Sequence, residues 1–297
     1  MTTQATQQHV VPAPGGRVLA VEEAGDPGGL AVLVHNGTPN SRHLYGPHVA
    51  DATARGLRLI SYDRPGYGGS SPQPGRTVAD CAADVRAICD GLGITRLVSW
   101  GVSGGGPHLL ATAALLPDLV VAAASLASPA PFHAEGLDWF AGMGQENVDD
   151  FKLASGDDFE RIRARCEEQR TETLGATAAN LAATMPSLLT PTDAAVFTGE
   201  LAEYLVWSEQ DGFAPGAEGL LADSLALTRE WTFELGDISV PMLLLHGRED
   251  KFVPFGHGQW LAGYIPGVEA RLLDHDGHLT LAQNRVGEVH AWLAAHA

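Results

Sequence analysis

Trp100-Gly101-Val102-Ser103-Gly104-Gly105-Gly106-Pro107 is the stretch that decides the fold. It closes an aliphatic run, Arg96 to Trp100, and opens a helical pattern over Gly104 to Leu116. The G-x-S-x-G spacing therefore falls where a buried strand gives way to a helix. A turn this sharp presents its serine above the sheet and needs glycine on both sides, because a Cβ at either position would strike neighbouring backbone. It also leaves the Gly104 amide at a helix N-terminus, where it can donate to an oxyanion. The alternative is a glycine-rich connection that holds an incidental serine.

The pattern around this stretch alternates strands with helices, the signature of an α/β sheet. Arg17 to Glu22, Ala31 to Val34, Leu57 to Tyr62 and Val120 to Leu126 read as further strands, and Ser41 to Ala54 and Thr77 to Leu92 as helices. Thr77 and Asp80 have the spacing of a capping box. After residue 232 the alternation resumes, with strands at Pro241 to His246 and Ala270 to Leu273 and helices at Pro254 to Tyr264 and Arg285 to Ala295. Residues 132–232 differ, being helix-forming and broken by Pro186, Pro191 and Pro215. They carry 19 acidic against 6 basic residues and 10 of the 20 aromatics, so they need an apolar side as well as a solvated one. The expected organisation is a core of residues 1–131 and 233–297 with a helical cap over 132–232.

A net charge of -18 repels phosphate backbones and anionic lipid, which argues against nucleic acid and membrane as partners. The longest apolar runs, Leu109 to Leu116 and Leu119 to Ala127, fall far short of the ~18 residues of a membrane span. The N-terminus has neither a cationic start nor an apolar stretch, so no signal peptide is expected. Cys81 and Cys89 are too far apart on one helix to be bridged, and with Cys166 alone the expectation is packing thiols in a reducing cytoplasm.

A serine hydroxyl needs a general base, itself held by a carboxylate. Gly247-Arg248-Glu249-Asp250-Lys251-Phe252-Val253-Pro254 puts acids at a strand's carboxyl end, and Asp274-His275-Asp276-Gly277-His278-Leu279 puts histidines at the next. The order Ser, Asp, His is that of an α/β-hydrolase triad. Together with Asp-Arg-Pro-Gly-Tyr-Gly-Gly-Ser at 63–70, these segments resemble the α/β-hydrolase superfamily over nearly the whole chain. They look most like the capped, esterase-like serine hydrolases of bacteria. The resemblance implies an α/β-hydrolase fold, a mostly parallel sheet flanked by helices with a helical cap inserted after the sixth strand. It makes Ser103 the nucleophile, Asp250 the orienting acid and His278 the base. Glu249, Asp274, His275 and Asp276 are the rivals, read as loop-forming or solvated; His43, His108 and His246 are read as structural.

The second oxyanion donor is expected in His35-Asn36-Gly37-Thr38-Pro39, which departs from the family's usual His-Gly-x-Pro by placing Asn36 before Gly37. Aligned on Gly-Thr-Pro, the Thr38 amide partners that of Gly104, with Gly37 or Asn36 as second choices. Residues 63–70 are assigned a structural role as a rigid turn shaping the site; no helix follows them, so they do not match a phosphate loop.

The chemistry implied is two-step acyl transfer without metal or cofactor, on an ester or lactone of a moderately apolar small molecule, by a monomer or homodimer. Trp139, Phe140, Trp207 and Val102 are the expected substrate contacts. Ser rather than Asp at the elbow argues against the dehalogenase and epoxide-hydrolase branches. Three rivals stand beside this reading. A proline-iminopeptidase-like enzyme would hold a substrate amine with cap carboxylates, but its usual HGGPG and GGSWGS elements are missing from the sequence. The others are a cofactor-free perhydrolase or haloperoxidase and a non-hydrolytic ligand-binding protein.

Overall fold

In the computed structural model, which describes residues 6–297, eight strands form one sheet. They are β1 (Gln7–Ala13), β2 (Arg17–Gly25), β3 (Leu30–His35), β4 (Leu57–Tyr62), β5 (Leu97–Val102), β6 (Val120–Leu126), β7 (Met242–Gly247) and β8 (Glu269–Leu273). Their spatial order is β1-β2-β4-β3-β5-β6-β7-β8. The β1–β2 and β2–β4 pairs are antiparallel and every other pair is parallel. Helices cover both faces, and the central strands are apolar almost throughout, as parallel strands buried on two sides must be. All six residues of β7, Met-Leu-Leu-Leu-His-Gly, are buried.

Alternate side chains of β3 show the two layers: Ala31 and Leu33 join one core, Val32 and Val34 the other. The first core is closed by α2 (Cys81–Leu92), α3 (Gly105–Leu115) and α10 (Phe255–Tyr264). The second is closed by α1 (Gly46–Ala54) and α12 (Val286–Ala295). Between β6 and β7 the chain forms α4 (Gln145–Ala154), α5 (Phe159–Leu174), α6 (Ala178–Leu181), α7 (Pro191–Val196), α8 (Gly199–Gly212) and α9 (Glu218–Thr228). This insertion has apolar clusters of its own, one around Ile162, Cys166 and Phe213 that includes Tyr67 from the core, another around Leu181, Phe197 and Val206. It follows the sixth strand, as the fold class predicts.

Three local readings change. The strand β1 was not legible as one: it is an exposed edge with Pro12 in it, paired only to β2. The first helix begins at Gly46 rather than Ser41, because residues 41–44 are drawn into bonds with the core, Arg42 N–H to Asp63 and Leu44 N–H to Glu22. Thr77 donates its N–H to Asp80, but α2 starts only at Cys81, so this turn precedes the helix instead of capping it. All three cysteines are buried and free. Among the described residues no helix is long and apolar enough to cross a membrane. The first five residues of the N-terminal stretch in which no signal peptide is expected lie outside the described residues.

Candidate active site

Ser103 directly follows β5 with φ 55°, a left-handed conformation that a side-chain-bearing residue adopts only where its surroundings enforce it. The enforcement is visible on both sides. The Ser103 N–H donates to Leu126 O at 3.0 Å, and Gly106 N–H donates to Ser103 O at 2.8 Å. A Cβ on Gly101 would lie 2.7 Å from Gly105 O, and one on Gly105 would lie 2.1 Å from His35 O. Both flanking glycines are therefore required by close backbone approach.

Asp250 and His278 meet as the sequence predicts, with His278 Nδ1 to Asp250 Oδ2 at 2.7 Å. The other carboxylate oxygen of Asp250 accepts the N–H groups of Phe252 and Val253, each at 2.8 Å, which fixes the acid in its loop. Burial alone would lower the His278 pKa; the Asp250 carboxylate, with Asp193 adding to it, outweighs burial and holds it above the ordinary histidine value. The Phe252 ring stacks on His278 at 4.7 Å. Ser103 and His278 line one cavity, and the Ser103 hydroxyl makes no hydrogen bond to protein among the described residues. Such contacts commonly tighten only when substrate arrives.

Of the four rivals, His275 is exposed and the three carboxylates are engaged elsewhere. Glu249 accepts from Thr192 Oγ1, Asp274 pairs with Arg248, and Asp276 pairs with Arg285. His246 donates Nε2–H to Val253 O, His108 Nδ1 meets Gly104 O, and His43 contacts Glu22 and Asp211.

Sequence reasoning missed Asp193. This residue of α7, 0% exposed, accepts the N–H groups of His278 (2.8 Å), Leu279 (2.8 Å) and Thr280 (3.0 Å). These are the first orphan donors of a short helix, α11 (His278–Asn284), so a carboxylate from the insertion caps the helix that carries the histidine. No local signal could reveal it, because the cap lies 85 residues upstream.

The two predicted oxyanion donors adjoin. A Cβ on Gly104 would lie 2.3 Å from Thr38 Oγ1 and 3.3 Å from Thr38 N. Neither amide has a backbone acceptor among the described residues. Arg64, in the 63–70 segment, shapes this loop: it donates to Asn36 O, to Gly37 O (2.8 Å) and to Thr38 Oγ1 (2.8 Å). Asp223 of α9 completes the arrangement, accepting from Thr38 Oγ1, Arg64, Arg76 and Tyr67 while fully buried. Burial would raise the Asp223 pKa, but the two arginines hold it far below the carboxylate range. Asn36 itself turns inward, its Nδ2 donating to Ser41 O and Ser61 Oγ.

The cavity over Ser103 is walled mainly by apolar groups, among them Val102, Leu181, Met185, Phe197, Tyr204 and Phe252. Of the four expected substrate contacts only Val102 lines it. Trp139 is buried against Phe132, Phe140 and Phe151 with its indole N–H on Ala130 O, so Trp139 and Phe140 serve as packing near α10. Trp207 is 52% exposed and stacks on His43 at 3.8 Å, on the outward side of α8. The insertion's aromatics that do face the cavity are Phe197 and Tyr204.

A family model described as "alpha/beta hydrolase fold" matches residues 31–284. Epoxide hydrolase A of Mycobacterium tuberculosis is 27% identical, over 93% of this chain and 92% of its own. A non-heme chloroperoxidase of Streptomyces lividans is 26% identical over 81% of each chain. Among solved structures, a thermophilic esterase of Thermogutta terrifontis superposes with a TM-score of 0.71 at 24% identity, covering 98% of this chain and 100% of that one, which shows a shared fold.

Proposed function

This chain belongs to the alpha/beta hydrolase fold family, and from that premise we propose that it is a serine hydrolase acting on a carboxylic ester or lactone of a moderately apolar small molecule. Ser103 attacks the carbonyl carbon and His278 Nε2 takes the hydroxyl proton, while Asp250 keeps Nδ1 protonated and the ring oriented. The amides of Gly104 and Thr38 receive the oxyanion. His278 then returns the proton to the leaving alkoxide, and an acyl-enzyme remains on Ser103. Water, deprotonated by the same histidine, releases the acid.

The observation that carries this reading is the conjunction of a serine held at φ 55° with a 2.7 Å His278–Asp250 bond on one cavity. The epoxide-hydrolase likeness is set aside because the elbow holds a hydroxyl, where that branch is associated with a carboxylate. The test is hydrolysis of p-nitrophenyl esters from acetate to decanoate by wild type and Ser103→Ala. Wild-type turnover that falls by about three or more orders of magnitude in the variant supports the reading; turnover that survives refutes it. The chloroperoxidase relative favours one second reading, in which hydrogen peroxide replaces water on the acyl-enzyme and releases a peracid. Peroxide-dependent halide oxidation in acetate, abolished in Ser103→Ala, distinguishes it.

A further inference from the structure

Beside the Ser103–His278 pair and the Thr38 loop, the mainly apolar cavity has one further polar stretch of wall. There, α8 lies against the loop that follows the oxyanion segment: Ser41 N–H donates to Ser208 O at 3.1 Å, and a Cβ on Gly212 would lie 3.3 Å from Asn40 C. Glu209, next to Ser208 on α8, and Asn40 both line the cavity. The Asn40 carboxamide and the nucleophile both border Gly37, where a Cβ would be 3.7 Å from Asn40 Nδ2 and 3.5 Å from Ser103 Cβ.

Among the described residues, neither the Glu209 carboxyl nor the Asn40 carboxamide has a hydrogen-bond or ion-pair partner. Other polar groups of the wall are engaged: Tyr204 donates its hydroxyl to His43 O at 2.8 Å, and His48 Nε2 donates to Ala282 O at 2.8 Å. A carboxyl left unpaired among apolar walls is costly unless something fills its hydrogen-bonding capacity. Burial pushes Glu209 up to about 8, so at neutral pH it is chiefly a protonated acid able both to donate and to accept.

We propose that Glu209 and Asn40 form a recognition subsite for a neutral oxygen group of the substrate, a hydroxyl or ketone carried apart from the scissile ester. The proposal rests on the serine-hydrolase reading of the same cavity. A carboxylate on the substrate is disfavoured, because no Lys or Arg lines the cavity to receive it. An ammonium is disfavoured as well, since it would be stripped of water against Phe197, Leu201 and Leu205. A neutral oxygen accepts from the Glu209 hydroxyl and the Asn40 amide at no charge cost.

The test compares kcat/KM for p-nitrophenyl hexanoate with its 3-, 4- and 5-keto analogues, its 3- and 6-hydroxy analogues, and the 6-amino analogue. Wild type, Glu209→Gln and Glu209→Leu are assayed, with circular dichroism confirming that each is folded. Wild type should favour one oxygenated isomer by about tenfold, the effect of one hydrogen bond between otherwise unpaired groups. Glu209→Leu should lose that preference, its oxygenated-to-plain ratio of kcat/KM falling to about one, and Glu209→Gln should keep most of it. An active enzyme with no oxygenated preference, a preference that survives in Glu209→Leu, or selection of the amino ester overturns the subsite. Wild type inactive on every ester, or ester turnover unchanged in Ser103→Ala, instead overturns the serine-hydrolase reading beneath it.

Discussion

Replacing Asp193 by alanine tests whether the insertion does more than cover the cavity. The substitution removes a carboxylate that receives three N–H groups at 2.8, 2.8 and 3.0 Å and leaves those donors at the buried start of α11. Loss of a helix N-cap alone costs about 0.5–2 kcal/mol, and hydrogen bonds to a charged acceptor contribute roughly 1.5–3 kcal/mol each. Because water can enter the vacated space and serve some donors, a loss of about 2–4 kcal/mol is expected, small enough to leave a folded protein. The kinetic effect follows from His278 being the first residue of that helix. Misplacing a catalytic group by about 1 Å can cost on the order of a hundredfold, so kcat should fall by roughly 10- to 100-fold with KM little changed.

Charge separates this role from mere packing. Asp193 helps hold the His278 pKa above its ordinary value, and only neutral His278 can accept the serine proton. Asp193→Asn, which keeps the shape and an accepting oxygen, should therefore move the acid limb of the kcat/KM profile to lower pH. The assays are ester hydrolysis from acid to neutral pH and urea unfolding of the same samples. An Asp193→Ala enzyme within about twofold of wild type, with an unshifted limb in Asp193→Asn, would refute the reasoning, since a twofold change is only about 0.4 kcal/mol.

Further predictions concern the surroundings. Asp223→Ala leaves Arg64 and Arg76 buried without their carboxylate and should lose about 3–5 kcal/mol in urea unfolding, as breaking a buried pair does. Gly277→Ala would set a Cβ 2.6 Å from Asp193 Cγ and should be destabilised by about 1–3 kcal/mol. Gly263→Ala, whose Cβ meets nothing within 4 Å inside α10, should melt no lower than wild type. Trp207→Ala should stay within about twofold of wild type in kcat/KM, because surface substitutions usually shift free energies by under ~0.5 kcal/mol; a large loss would place Trp207 in the cavity after all.

The fold was legible because its decisive features are local. Short apolar runs bounded by glycine or proline gave β3 to β8 within about two residues, and the elbow joined a strand, a special backbone angle and a helix start in eight letters. Asp250 and His278 could be picked out because each sits just past such a strand, and the structure brings the two side chains into contact. What the sequence concealed is long-range. The cap of α11 comes from Asp193, which locally looks like first-turn acid in a Thr190-started helix, and Thr190 Oγ1 does accept the Asp193 N–H. The support of the Thr38 loop combines Arg64 with Asp223, 159 residues apart. Helical periodicity identified an amphipathic insertion without telling which aromatics face the cavity: Tyr204 and Trp207 are three residues apart on α8, yet one lines it and the other is in solvent.

A covalent acyl group on Ser103 distinguishes this chemistry, and acid-quenching the enzyme during turnover of p-nitrophenyl acetate, followed by mapping of acetylated peptides by mass spectrometry, detects it. Acetyl is expected on the peptide that contains Ser103, with no such adduct and no steady turnover in Ser103→Ala. Acetyl found only on another residue, or nitrophenol release undiminished in Ser103→Ala, would contradict it.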